Sequence, residues 1–355
     1  MNPYDFVRLV GNGPERKPAQ QHQKYGGLSG RMACTLTART ALFIPKYRGG
    51  RADNVRTHEP LSICANREGV PIIPGTSLKG VIRNVAEAAA NACFTLPNQL
   101  LYEKRTLEYD LPTGFRTCQD HKNLCPACRL FGMLNRREVF AGNVSVQDAT
   151  AQPGYQTQRL TLAILSGPKP RHKPFYSTKP NERKPPIRGR KFYFHHQRSG
   201  GLPRERREKD GQNKTADVIL PGAVFKFEVD FENVAESDLN LLLFSLVMWD
   251  DTCHKVGMGK PIGLGSAKIE IESLTLLDRN ARYRQLGGGW GEPLTGPALA
   301  SFLAPRLQSF QTSTQDNLQD LHRILRWDPT APDNVRYPDQ QWFKDHPKEP
   351  LDKAP

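Results

Sequence analysis

The chain has 355 residues, 37% of them hydrophobic, with seven cysteines and a formal net charge of +14. That length carries a substantial core in one large domain or two small ones, and no apolar run approaches the ~20 residues of a membrane span. Residues 1–10 lack the basic start and apolar core of a secretory signal. A single tight cysteine cluster with scattered others is a poor disulfide framework, so a reduced, cytoplasmic protein is expected.

Taken in chain order, residues 1–28 are polar and glycine- and proline-bearing, and read as an irregular arm. Residues 31–43 predict a strand, with Met32, Cys34, Leu36 and Leu42 among Thr35, Thr37 and Thr40. An Arg- and Gly-rich loop, 44–71, leads to a helix whose Leu78, Val81, Ile82, Val85 and Ala89 share one face; Thr76 or Ser77 is placed to cap it. From 95 to the cysteines no element is assigned. Residues 139–146 and 159–165 read as strands. A proline-interrupted insertion follows, and then a strand at 223–231, where Phe225, Phe227 and Val229 alternate with Lys226, Glu228 and Asp230. A second helix carries Leu239, Leu242, Leu243, Leu246 and Val247, with Ser237 as its cap. A glycine-rich loop precedes a last strand at 268–276. The tail beyond 290 is expected to be helical around 297–327. Strand, helix, strands, insertion, strand, helix, strand is the order of a ferredoxin-like βαββαβ unit of the α+β class, whose sheet commonly leaves one face for RNA.

Most of the excess charge is local: residues 168–214 hold 15 Lys/Arg against 4 Asp/Glu. Such concentration points to a polyanion, against the competing reading of a solvated loop. Within it, Gly189-Arg190-Lys191-Phe192-Tyr193-Phe194 interleaves bases with aromatics, a pattern suited to stacking on bases while cations hold phosphates; Phe192 and Phe194 also fit a buried strand. His195 and His196 suggest acid–base cleavage, but adjacent strand residues face opposite ways. At the first helix entry, Gly75, Lys79 and Arg83 could clasp phosphates at a helix N-terminus, although the glycine spacing is not that of a P-loop. Gly257, Gly259, Gly263 and Gly265 around Lys255 and Lys260 would let backbone pass close to a phosphate chain, or serve as a hinge. Cys118, His121, Cys125 and Cys128 repeat a two-residue gap suited to a closed, structural Zn²⁺ site, with Cys93 the competitor for His121.

Ile73-Pro74-Gly75-Thr76-Ser77-Leu78-Lys79-Gly80, the knuckle running into Leu130-Phe131-Gly132, and Gly257-Met258-Gly259-Lys260-Pro261-Ile262-Gly263-Leu264-Gly265 together resemble the RAMP superfamily of CRISPR-associated proteins. Asn2-Pro3-Tyr4-Asp5-Phe6-Val7 and Gly189-Arg190-Lys191-Phe192-Tyr193 resemble its zinc-bearing backbone subunits, of type III-like or type IV effectors. The resemblance covers residues 1–280. It implies an RRM-like (ferredoxin-like) domain over 1–290, with the zinc knuckle at 118–128, a basic thumb at 166–216, and a C-terminal tail at 291–355. It implies binding of CRISPR RNA for pairing with target RNA or DNA, beside other effector subunits and copies of the same chain. The RNA-contacting residues would be Ser77, Lys79, Arg83, Arg188, Arg190, Lys191, Tyr193, Lys255, Gly257, Gly259, Lys260 and Gly263. Many such subunits cut target RNA with an acidic residue between the first strand and helix. Asp53 and Glu59 are the candidates here, with Mg²⁺ as the metal, although neither matches the family in both residue type and spacing. A precursor-processing endonuclease using His58, His195 or His196 is the remaining alternative.

Overall fold

The computed structural model describes residues 2–354 apart from 21, 23, 47–59, 95–98, 103, 104, 136, 137, 164–171, 197–212, 285, 287, 331–334 and 336; for 99–102, 105–108 and 340 it describes the backbone alone. The elements that position the site begin with β1 (Tyr4–Val7), β2 (Leu28–Ala38), β3 (Ile72–Ile73), α1 (Gly75–Ala89) and α2 (Pro126–Phe131). They continue with β4 (Val144–Val146), β5 (Ala149–Ala151), β6 (Thr157–Thr161), β7 (Arg190–Tyr193), β8 (Thr215–Ile219) and β9 (Val224–Val234). The last are α3 (Glu236–Val247), β10 (His254–Lys255), β11 (Ser266–Leu276), α4 (Gly296–Gln311) and α5 (Asp316–Leu325).

The protein is a mixed α/β structure built on a seven-stranded antiparallel sheet of order β10-β11-β2-β9-β5-β3, with β4 also paired to β9. Period-two alternation explains its two faces. Phe225, Phe227, Val229 and Phe231 of β9 are buried, and Phe225 and Phe227 stand opposite Leu36 and Cys34 of β2. On the same side, Ile269 of β11 stands opposite Leu36. This apolar face packs under α1, α3, α4 and α5 in one continuous core.

The opposite face carries Arg31, Lys226, Glu228, Asp230, Glu270 and Glu272, linked by pairs such as Arg31–Asp230 at 2.7 Å and Lys226–Glu272 at 3.8 Å. Cations and carboxylates alternate there, with the centre of the exposed Trp290 ring 5.9 Å from the Arg31 guanidinium. Among these six residues carboxylates outnumber cations four to two, which is not the net positive charge that an RNA backbone attracts.

α1 buries Leu78, Ile82, Val85 and Ala89 as its periodicity requires, while Val81 is only half-buried. Neither Thr76 nor Ser77 caps it. Asp148, in the turn between β4 and β5, accepts from Gly75 N at 2.7 Å instead. α3 is buried nearly all round, because α1, α2, α4 and the sheet surround it, and Ala235 rather than Ser237 stands at its N-cap. Its Asp238 makes a buried bidentate pair with Arg129 of α2, at 2.6 and 2.8 Å. Leu299 and Leu307 of α4 and Leu318, Leu321, Ile324 and Leu325 of α5 join the same core.

The described part of the basic insertion, 172–196 and 213–216, is ordered despite its prolines. β7 pairs with β1, matching Phe192 with Asp5 and Tyr193 with Tyr4. β8 pairs with β6. Phe175, Phe192, His195 and His196 are all buried.

Candidate nucleic-acid groove and thiol cluster

Three walls meet around a cavity of about 890 Å³. The N-terminal half of α1 supplies Thr76, Ser77, Gly80, Val81 and Asn84; β7 supplies Lys191, Phe192 and Tyr193; and the stretch after β10 supplies Lys255, Gly257, Met258 and Lys260. Among the described residues, no carboxylate lines it. The cavity therefore gathers the three sequence segments that carried glycine, base and aromatic signals separately.

The lysines are held where burial penalises their charge. Lys191 Nζ sits 3.6 Å from the centre of the Tyr4 ring and 4.9 Å from that of Tyr193, and burial pushes its pKa down to about 8. Lys255 is fully buried, donates to Leu264 O at 3.1 Å, and is pushed down by burial to about 7. Burial lowers Lys260 as well. An anion entering the cavity would favour the charged form of all three. The wall residues Phe192, Tyr193 and Met258 offer apolar surface beside them.

Of the anticipated contacts, the structure brings Ser77, Lys191, Tyr193, Lys255, Gly257 and Lys260 to this cavity. It turns Lys79, Arg83, Arg188, Arg190, Gly259 and Gly263 elsewhere. Lys79 and Arg83 lie one stripe round the helix from Thr76, Gly80 and Asn84. Lys79 Nζ donates to Val144 O at 2.7 Å, and Arg83 to Gly132 O at 3.1 Å. Arg188 donates to Pro174 O at 3.0 Å. Arg190 is interior, bound to Glu87 and to the carbonyls of Ala92 and Cys93, with its guanidinium 4.1 Å over Phe94.

The glycine loop answers first to its own backbone. Gly257 and Gly265 have φ of 77° and 79°, and a Cβ at either would lie 2.4 Å from Phe43 O or 1.9 Å from Val256 O. His195 is fully buried between Ser266 Oγ at 2.8 Å and Cys253 O at 2.9 Å, and burial holds its pKa well below the usual value. That position removes it from contact with an RNA strand. Asp53, Glu59 and His58 lie outside the described residues.

Behind the groove, Cys93, Cys118, Cys125 and Cys128 bring four buried Sγ atoms within 4.8 Å of one another. Cys93 Sγ lies 3.6 Å from those of Cys125 and Cys128 and 3.8 Å from that of Cys118. Four sulfurs each about 2.3 Å from one ion at tetrahedral angles are about 3.8 Å apart, so the spacing fits a bound metal such as zinc. His121 is not the fourth member: its imidazole stands at the surface, paired with Glu138.

The charges around the cluster fit as well. Four thiolates about a divalent ion leave a charge of −2. Arg16 lies 2.7 Å from Cys118 Sγ and Arg83 lies 3.9 Å from Cys128 Sγ, with Arg190 on the Cys93 carbonyl and Glu87 between the last two. Three guanidiniums and one carboxylate supply +2.

Cys93 lies far outside the local knuckle spacing; Thr76 was singled out only as a helix cap, Met258 only as part of the glycine loop, and Asn84 not at all. A further signal for Thr76 and Asn84 was helical: with Gly80 they form an i, i+4, i+8 stripe of small and polar residues.

The family model of the RAMP superfamily matches residues 35–268, about two thirds of the chain, and the chain belongs to that superfamily. No curated protein matches it. Membership assigns a CRISPR-associated, RNA-binding role. Among the described residues, no helix is long and apolar enough to cross a membrane.

Proposed function

We propose that this RAMP protein is a CRISPR RNA-binding backbone subunit of a multisubunit interference complex of type III-like or type IV kind. It would hold the guide's sugar–phosphate chain in the groove between α1, β7 and the 257–265 loop. The observation that carries the reading is the cavity itself, where three lysines and the start of a helix converge with no carboxylate among the described lining residues. Polyanion affinity comes chiefly from such cations. Pairing of the exposed guide with target RNA or DNA, and contacts with other subunits and further copies, follow from that role.

The strand order β11-β2-β9-β5, with α1 and α3 on one face, supports a ferredoxin-like core. In this reading the guide lies at the helix–sheet junction and not on the open sheet face. Zinc is the metal proposed for the four thiols, in a closed structural role. The groove as described is a binding surface. Target cleavage would require Asp53 or Glu59 and Mg²⁺.

The test is the double substitution Lys191→Ala, Lys260→Ala in the full chain, titrated against labelled single-stranded RNA. Affinity should fall by about tenfold or more, and the slope of log affinity against log salt should become shallower by about 1 to 2. Unchanged affinity and slope would remove the groove from the proposal.

A further inference from the structure

Glu87 is a buried carboxylate, 8% exposed, with two guanidinium partners. Its Oε1 accepts from Arg83 Nε at 2.8 Å, and its Oε2 accepts from Arg190 at 2.9 Å. Each arginine continues to the thiol cluster. Arg83 reaches Cys128 Sγ at 3.9 Å, and Arg190 donates to Cys93 O at 2.9 Å and Ala92 O at 2.6 Å.

The two arginines also belong to opposite walls of the groove. Arg83 sits on α1 beside the stripe that ends at Asn84, and Arg190 immediately precedes Lys191, Phe192 and Tyr193 on β7. The network therefore closes on itself, from Cys128 through Arg83, Glu87 and Arg190 to Cys93, with one groove wall attached at each arginine. Burial makes the connection stiff. A carboxylate fixed between two guanidiniums in a water-poor site has few alternative partners, and an uncompensated charge there is costly.

An ion held by the four sulfurs ties the segment bearing Cys93 to the segment bearing Cys128. Without it those segments lose their common anchor, and Arg83 and Arg190, which hang on them, are the residues that fix α1 and β7.

We propose that Glu87 is a positioning residue that couples the four-thiol cluster to the groove, so that metal loading and nucleic-acid binding strengthen one another. This rests on the reading of the groove as an RNA site. The coupling is a free energy shared by two sites, so it acts equally in both directions.

The experiment measures both directions on the full chain. The dissociation constant for Zn²⁺ or Co²⁺ is obtained by competition with a chromophoric chelator, with and without saturating single-stranded oligouridylate. The affinity for the same RNA is measured by fluorescence anisotropy on metal-loaded and metal-stripped protein. RNA should tighten metal binding by about tenfold, and metal should tighten RNA binding by the same factor. Glu87→Gln should bring both factors towards one, whereas a merely structural role would lower stability and leave the factors unchanged. If Glu87→Gln does not fold, Arg83→Lys, which keeps the charge and loses the branch to Cys128, carries the same expectation. A metal dissociation constant indifferent to RNA overturns the proposal, as does a Glu87→Gln protein with the wild-type factors. Should the coupling fail while Lys191→Ala, Lys260→Ala still abolishes RNA binding by metal-loaded protein, the groove reading stands alone. Absence of RNA binding by the metal-loaded wild type overturns both.

Discussion

Lys191 and Lys255 hold their protons weakly, at about 8 and about 7, because burial withdraws water from the ammonium groups and, for Lys255, the neighbouring Lys260 adds like charge. A phosphate in the groove raises both pKa values, so binding takes up protons over the window between the free and bound values. Affinity for RNA should therefore be highest below about pH 7 and should weaken as pH rises towards about 9. Anisotropy titrations across that range would check it, and a flat profile would contradict the placement of these amines. The thiols yield a second residue-scale expectation. Cys93→Ser should lower the bound metal measured by elemental analysis, because it removes the sulfur 3.6 Å from both Cys125 and Cys128. His121→Ala should leave metal content unchanged, since that ring's partner is Glu138.

At the scale of elements, α1 shows how local rules and tertiary structure divide the work. Its buried face was legible from Leu78, Ile82, Val85 and Ala89, whose spacing follows from 3.6 residues per turn. Its cap was not, because Asp148 arrives from 73 residues away in sequence. Replacing Asp148 with Ala should cost about 1 kcal/mol, as loss of a cap usually does, measured by denaturant midpoint. The helix's cations were misplaced for a similar reason. Lys79 and Arg83 do share a stripe, as i and i+4 residues must, but which stripe faces the groove depends on where β7 docks. The insertion teaches the complementary lesson. Seven prolines suggested irregular chain, yet Arg190–Tyr193 finds a partner strand at the other end of the sequence, in Tyr4–Val7. Long-range pairing overrides local composition, and no pattern within the insertion announces it.

Across the molecule, the motifs that located the groove were readable because chemistry constrains residue type: Lys191, Lys255 and Lys260 could be singled out before their neighbours were known. The division of labour among cations was not readable. Arg83 and Arg190 look like RNA contacts in a basic sequence, but the half-buried Arg83 and the buried Arg190 both pair with Glu87 and reach the thiol-cluster segments. Cys93 could be named from the sequence only as a competitor of His121, because it lies 25 residues before Cys118, and the polar character of the open sheet face emerged only when β2, β9 and β11 were set side by side.

The outer strands of the sheet, β3 and β10, are two residues long. β3 is bracketed by Pro71 and Pro74, and the Cys64 carbonyl already accepts from Ile72 N at 2.9 Å. The β3 margin therefore offers no ladder on which a second sheet could continue, and such blunted margins are how β proteins avoid fusing edge to edge. In the proposed backbone role, where copies would recur along one RNA, that protection would matter, because high local concentration favours fibre growth. On that proposal, the spacing between successive copies would be measured out by the nucleic acid and by side-chain contacts, leaving the strand as the ruler of the assembly.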